Sequence, residues 1–139
     1  TKGRNVNALA KKFNAPRIII SQFIPNPQEY YNHARLVIAP SVYESWGNVV
    51  VESLSSGIPV VASSQVPSSE LIQEQEHGVS FTRDGTEDHI KLLHAIRQAL
   101  RDTSDQSLCM DSRHEHVLEF QSSNPVMTSW IVSQVASDD

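Results

Sequence analysis

The sequence predicts an α/β fold in which helices flank a parallel sheet. Three short segments, Ile18–Ile20, Leu36–Ala39 and Val60–Ala62, are continuous apolar runs rich in the β-branched residues that buried parallel strands favour. The segments between them have helical apolar spacing and are bounded by proline and glycine. Strands that alternate with helices through short loops pair in parallel through right-handed crossovers. Because ligands bind at the carboxyl ends of such strands, the residues that follow each strand form the candidate site.

Two short helices are predicted in the first part of the chain. The apolar spacing in Val6–Phe13 predicts an amphipathic helix that Asn14–Pro16 ends. Pro27 follows a proline-containing turn and is placed to start a brief helix, because proline suits the first helical position. This helix is predicted to carry Tyr30, Tyr31 and His33.

The second half of the chain is predicted to add a strand and more helices. Ser68 or Ser69 can cap a helix through Glu76, and Val79–Phe81 is predicted to be a fourth strand. The longest helix is predicted over Glu87–Arg101, with a buried side made of Ile90, Leu92, Leu93, Ile96 and Leu100. Residues 1–101 would thus form one domain, and residues 102–139 a tail with helices near Val117, Leu118 and Phe120 and near Trp130, Ile131 and Val132.

The composition excludes several classes of function. A chain of 139 residues can bury a core, and no apolar run approaches the roughly 20 residues of a membrane span. A net charge of −5 with scattered lysine and arginine argues against nucleic acid as a partner and against a polybasic membrane patch. The single cysteine, Cys109, predicts a reducing compartment and hence a cytoplasmic protein. No convincing base lies near Cys109 in the sequence, so we interpret it as a structural thiol.

The candidate site is the segment Pro40–Glu52, which joins the Leu36–Ala39 strand to a predicted helix. Its two acids, Glu44 and Glu52, are eight positions apart, and in one helix they would lie about 12 Å apart along the axis and differ in direction by about 80°. They can meet one ligand only if Glu44 lies in the loop and Glu52 lies in the helix. The helix boundaries are marked by residues that begin or end helices, namely Gly47, Asn48, Gly57 and Pro59.

These residues suit a ligand that carries both hydroxyl groups and an anionic group. Carboxylates accept hydrogen bonds from sugar hydroxyls, whereas the free N–H groups of Asn48 and Val49 and the positive end of the helix dipole favour a phosphate. Residue type alone leaves alternatives open: Glu52 as a solvated helix-surface residue, Glu44 as a plain loop acid and Trp46 as a core side chain.

The same segment and its flanks resemble the carboxyl-terminal, donor-binding domain of retaining GT-B glycosyltransferases of family 4, the glycosyl transferases group 1. Members carry Pro-Ser, a loop Glu-Gly-Phe-Gly, a second glutamate and Gly-x-Pro-Val-Val before the next strand. The resemblance covers roughly residues 6–101 and implies a Rossmann-like sheet that is half of a GT-B fold. The matching residues are Ala39-Pro40-Ser41, Glu44-Ser45-Trp46-Gly47, Glu52, Gly57-Ile58-Pro59-Val60-Val61-Ala62, Glu70-Leu71-Ile72 and Gly78.

The resemblance implies the donor-binding part of a hexosyltransferase that uses a UDP- or GDP-linked sugar. Glu44 would be the catalytic residue, in contact with the donor sugar's hydroxyls near the anomeric carbon, and Glu52 would bind the ribose hydroxyls. The reaction would retain anomeric configuration through an oxocarbenium-like, front-face departure in which the leaving phosphate helps to deprotonate the acceptor. No cofactor or metal is implied, and the histidines are not spaced as metal ligands. The sugar and the diphosphate would lie against the backbone around Ser45, Trp46, Gly47, Asn48 and Val49.

The chain departs from the family pattern in several places. Ser45 replaces the usual glycine, and Ser64–Ser69 stand where the family has a Gly-Gly turn and a proline near the diphosphate. A full domain has two further strand-helix units before Ile18–Ile20, and these supply an arginine and a lysine that neutralise the diphosphate. Lys2 matches that basic clamp only faintly. In the doubly wound order 3-2-1-4-5-6, the missing strands would lie between Ile18–Ile20 and Leu36–Ala39.

These departures predict that the chain is part of a longer enzyme and is inactive alone, because the acceptor-binding amino-terminal domain is also absent. Otherwise its first strand would pair abnormally or with another chain.

The partners of the enzyme would be the nucleotide sugar, the missing domain and an acceptor that is a glycan, a lipid or a small molecule. The enzyme would be cytoplasmic, or peripheral at a membrane surface through its other parts. The alternatives are a non-catalytic relic or interaction module of the same fold, and a sugar-nucleotide epimerase.

Overall fold

The computed structural model describes residues 24–73, 76–102, 113 and 115–119. The helices among these residues are α1 (Pro27–Tyr31), α2 (Asn48–Ser55) and α3 (Asp88–Asp102), and a 3₁₀ helix covers Pro67–Leu71. The strands are β1 (Val37–Ala39), β2 (Val60–Ser63) and β3 (Gly78–Phe81). Residues 113 and 115–119 are also helical. The predictions for residues 6–13, 18–20 and 130–132 lie outside the described residues.

The three strands form a parallel sheet in the order β1-β2-β3. Val37 pairs with Val60, and Val60 pairs in turn with Gly78. All four residues of β2 are buried, as expected of a central strand that is covered on both faces. The structure therefore confirms the parallel α/β sheet and the strands that were predicted after residue 35.

Alternate residues of β2 point to opposite faces of the sheet and enter two separate cores. On one face, Val60 and Ala62 pack with the buried side of α2 and with Val117. On the other face, Val61 packs with residues of β3 and α3. The loop that joins β1 to α2 also contacts the first core, because Trp46 packs against it. The sheet and α2 together hold that loop in place.

Helix α3 lies where the sequence predicted it, but only part of its predicted buried side is buried. Its buried residues are Ala95 and Ala99, and Leu92 and Ile96 pack beside them as partly buried side chains. Ile90 and Leu93 were predicted to be buried and are instead exposed, by 40% and 45%. Two small alanines one turn apart allow the helix to approach β2 and β3 closely. With this side of the helix against the sheet, Ile90 and Leu93 point outward. Among the described residues, no helix is both long enough and apolar enough to cross a membrane.

The predicted helix from Ser68 or Ser69 through Glu76 is wrong, because the described residues of this segment form a 3₁₀ helix over Pro67–Leu71 and are not helical at 72, 73 and 76. Bonds such as Ser69 N–H to Val66 O span three residues, which is the spacing of a 3₁₀ helix. The chain then turns extended at Ile72, so that the adjacent apolar side chains of Leu71 and Ile72 both enter the core. The hydroxyl of Ser68 does not cap this helix but binds elsewhere, as described below.

Between the 3₁₀ helix and β3, the imidazole of His77 is buried and 1% exposed. Its Nδ1 lies 3.3 Å from the backbone nitrogen of Gln73 and 3.4 Å from the carbonyl oxygen of Leu71. Its ring centre is 4.7 Å from that of His116. Burial is the main cause that lowers the pKa of His77, and the nearby charges of His116 and Arg113 lower it further. The carbonyl of Leu71 and the carboxylate of Glu76 oppose this shift.

The lowered pKa of His77 predicts that acid destabilises the fold. Below about pH 6.5 the unfolded chain binds a proton at this position more readily than the folded chain does. The free energy of unfolding should therefore fall as the pH drops from about 8 to about 5.5, as measured by urea titration at each pH. His77→Gln should flatten this dependence, whereas His89→Gln, at an exposed position on α3, should leave it unchanged. Equal pH dependence in both variants would contradict the prediction.

Candidate functional site

The loop that follows β1 carries the first predicted acid at the carboxyl end of the sheet. Glu44 is exposed and lies in this loop, as the spacing argument required. The hydroxyl of Ser41 donates a hydrogen bond to Oε1 of Glu44 over 2.8 Å. Ser45 follows and is exposed. The hydroxyl of Ser41 therefore holds a carboxylate that faces solvent at the edge where parallel sheets bind ligands.

Gly47 forms the turn from this loop into α2. It is the N-cap and has a φ of 94°, in the left-handed region that favours glycine. A Cβ atom at this position would come within 2.2 Å of Cγ1 of Val66 and 2.7 Å of Oγ of Ser68. The site thus requires glycine both for its backbone conformation and for its close contact with the loop that follows β2.

Ser68 joins the loop that follows β2 to the loop that precedes α2 through two hydrogen bonds. Its backbone N–H donates to the carbonyl oxygen of Trp46 at 3.0 Å, and its hydroxyl donates to the carbonyl oxygen of Gly47 at 2.8 Å. Ser68 itself is fully buried. The serine-rich segment that departs from the family pattern therefore supports the turn into α2.

The amino-terminal end of α2 is open to solvent. Asn48 and Val49 are exposed, and as first-turn residues their N–H groups have no partner within the helix. The helix dipole adds partial positive charge at this end. The geometry suits an anion such as a phosphate.

The second predicted acid, Glu52, lies on α2 and is half-buried. Its Oε2 accepts a hydrogen bond of 2.8 Å from the hydroxyl of Tyr31 in α1. Burial is the main cause that raises the pKa of Tyr31, and the carboxylate of Glu52 raises it further. Tyr31 therefore remains a protonated donor to Glu52.

The structure places the predicted site residues on one continuous loop and helix, but it gives them different surroundings. The side chain of Trp46 is partly buried and packs against the core, as one of the predicted alternatives had it. Tyr31 and Ser68 were not predicted as parts of the site, and Ser41 lies in the predicted segment but had no predicted role. The position of Ser41 three residues before Glu44 could have indicated its contact, whereas Tyr31 and Ser68 each meet a partner 21 residues away in the sequence.

A cation also reaches the carboxyl edge of the sheet from the loop after β3. The guanidinium of Arg83 donates to the carbonyl oxygen of Pro40 and lies 3.4 Å from the carboxylate of Asp88. These three residues border a cavity of about 380 Å³ together with Phe81, His89 and Leu92. The charge of Arg83 is thus balanced by Asp88. Within the described parts of the chain, no three histidine, cysteine or acidic residues are grouped to hold a metal ion.

A sequence model of the family described as Glycosyl transferases group 1 matches residues 2–102. The chain belongs to this family of glycosyltransferases, as its motifs predicted. It is also similar to an uncharacterized glycosyltransferase of Methanocaldococcus jannaschii, with 38% identity over 52 residues. That match covers 37% of this chain and 13% of the relative.

Two crystal structures of the Anabaena protein HepE share the fold. One is a complex with UDP and glucose, with a TM-score of 0.55, 17% identity and 95% of this chain covered. The other is a complex with UDP-glucose, with a TM-score of 0.52, 21% identity and 86% of this chain covered. The likeness confirms the predicted GT-B fold. The chain spans only 35% and 37% of the length of these structures.

Proposed function

We propose that this chain is the donor-binding part of a retaining hexosyltransferase that uses a nucleotide-diphosphate sugar. The observation that carries the proposal is the placement of Glu44 on the loop and Glu52 on the helix, on either side of the exposed amino-terminal end of α2. This arrangement offers carboxylates to hydroxyl groups and backbone N–H groups to a diphosphate. Membership of the glycosyl transferases group 1 family and the UDP-sugar complexes of HepE support this chemistry.

In this proposal each part of the site has a separate role. Glu44 receives hydrogen bonds from the donor sugar near its anomeric carbon, and Glu52 receives them from the ribose hydroxyls. The backbone of residues 45–49 holds the sugar and the diphosphate at the positive end of α2. The diphosphate departs from the face at which the acceptor attacks and takes up the acceptor's proton. The oxocarbenium-like sugar is formed beside Glu44, whose negative charge stabilises it.

Transfer itself is proposed for a longer protein that also contains an acceptor-binding domain. The chain covers about a third of the length of the HepE structures. The family resemblance assigns acceptor binding to an amino-terminal domain and part of the diphosphate clamp to two further strand-helix units of a full domain. We expect the 139-residue chain to bind nucleotide without transferring sugar.

The proposal predicts that the 139-residue chain binds UDP or GDP in calorimetric titrations. Glu52→Ala should weaken binding by roughly 1–3 kcal/mol, about 5- to 150-fold, because a hydrogen-bonded carboxylate is lost. Glu52→Gln keeps the size of the side chain and an oxygen that can accept from Tyr31, so it separates loss of charge from loss of packing.

The control is Glu115→Ala, which removes the same charge from an exposed helical position and should leave nucleotide affinity unchanged. Equal weakening in Glu52→Ala and Glu115→Ala would show a general charge effect and contradict the ribose contact. Absence of measurable heat with both UDP and GDP would favour the alternative of a non-catalytic relic with this fold.

A further inference from the structure

Helix α1 is attached to α2 along one face by two side-chain hydrogen bonds. The amide of Gln28 donates to the hydroxyl of Ser56 at 2.9 Å, and the hydroxyl of Tyr31 donates to Glu52 at 2.8 Å. Gln28 and Tyr31 are three residues apart, while Glu52 and Ser56 are four apart, so each pair lies on one side of its helix. The Ser56 hydroxyl also donates to the carbonyl oxygen of Glu52. The two helices therefore meet at Glu52.

This contact constrains a side chain that would otherwise be free to move. A glutamate on a helix surface samples several rotamers, and ordering it for a ligand costs free energy. Tyr31 is itself fixed, because its ring is buried and 8% exposed. Its hydroxyl engages Oε2 of Glu52, which leaves Oε1 to accept from a ligand.

We propose that Tyr31 is the positioning residue for Glu52 and sets the affinity of the site for the ribose of a nucleotide diphosphate. This inference rests on the proposed function of Glu52. Tyr31 does not touch the nucleotide; it holds one carboxylate oxygen so that the other is presented to the 2′- and 3′-hydroxyls. Preorganisation of this kind increases affinity only for ligands that have those hydroxyls.

The test compares UDP with 2′,3′-dideoxy-UDP in calorimetric titrations of the 139-residue chain, or GDP and its dideoxy analogue if the chain binds guanine nucleotides. Tyr31→Phe should weaken UDP binding about three- to tenfold, because one hydrogen bond to a charged group is lost. Binding of the dideoxy analogue should stay the same. The informative result is the ratio of the two affinities. A merely structural role for Tyr31 would change both affinities alike and leave their ratio unchanged.

A second measurement asks whether Tyr31 acts through Glu52. In a Glu52→Ala background, Tyr31→Phe should cause no further loss of UDP affinity, because the group that it positions is gone. The matched control is Tyr30→Phe, which removes the same hydroxyl from the neighbouring residue of α1, whose side chain is 60% exposed. Gln28→Ala provides a further control, because it removes the other bond between α1 and α2 but leaves the phenol in place.

The outcomes separate this inference from the proposed function. If the wild type binds UDP and Glu52→Ala weakens binding, equal losses for UDP and its dideoxy analogue in Tyr31→Phe would overturn the positioning role alone. A fall in the affinity ratio as large in Gln28→Ala as in Tyr31→Phe would also overturn it, since packing of α1 would then be the cause. A wild type that binds neither nucleotide would overturn the proposed function and this inference with it.

Discussion

The Gly78→Ala variant is expected to lose about 4 kcal/mol of unfolding free energy, a large fraction of the roughly 5–15 kcal/mol by which native domains are typically stable. Gly78 begins β3 with a φ of 140°, a conformation that residues with a side chain rarely adopt. A Cβ atom there would lie 1.9 Å from the backbone oxygen of Val60. That oxygen belongs to the central strand, so relief of the contact would require the sheet itself to move.

Gly85→Ala is the matched control for this prediction. Gly85 also has a positive φ, of 86°, but a Cβ atom there would have no neighbour within 4 Å. This variant should lose only about 1 kcal/mol, the strain of the backbone conformation alone. Urea unfolding followed by circular dichroism measures both variants. Similar losses in the two would mean that backbone strain, and not contact with β2, sets the stability at Gly78.

Arg113→Met is expected to lose about 2–4 kcal/mol of unfolding free energy. The side chain of Arg113 is fully buried. Its Nε donates to the carbonyl oxygen of Glu76 at 2.7 Å, and its Nη1 donates to that of Gly57 at 2.8 Å. Methionine fills a similar volume but leaves both carbonyls without these donors, and the carbonyl of Gly57 is buried. The guanidinium therefore joins the end of α2 to the segment before β3.

The control for this prediction is Arg97→Met, because Arg97 is an exposed arginine on α3. It should change the unfolding free energy by less than about 0.5 kcal/mol. Val117 lies four residues after Arg113 and is buried in the core beside α2, so loss of Arg113 should also loosen Val117. Hydrogen exchange at α2 and β3 should then speed up in Arg113→Met alone. Unfolding curves that coincide with the wild type would show that the two carbonyl contacts contribute no stability.

Local sequence patterns were sufficient to predict the elements around the site. Runs of β-branched residues placed β1 and β2, because burial on both faces of a parallel sheet requires apolar side chains at every position. Gly47 and the Gly57–Pro59 segment set the limits of α2 through their own backbone preferences. The loop position of Glu44 and the helical position of Glu52 followed from those limits, and the structure confirms both.

Local patterns were insufficient where a choice depended on packing. The sequence of α3 offers apolar side chains on two sides, and contact with the sheet selected the side with Ala95 and Ala99. The segment after Pro67 could form a helix by its own preferences, but Leu71 and Ile72 both enter the core and the chain extends. Burial outweighs intrinsic helix propensity at such positions.

By itself, therefore, the sequence determined the parallel α/β fold, the glycosyltransferase family, and the loop and helix that carry the two glutamates, because each of these rests on neighbouring residues. Only the tertiary structure decided what holds those glutamates and that loop. Tyr31 meets Glu52, Ser68 meets Gly47 and Arg113 meets Gly57 across 21, 21 and 56 residues of chain. Contacts at such distances arise when separate elements pack on one sheet, and no local pattern of residues encodes them.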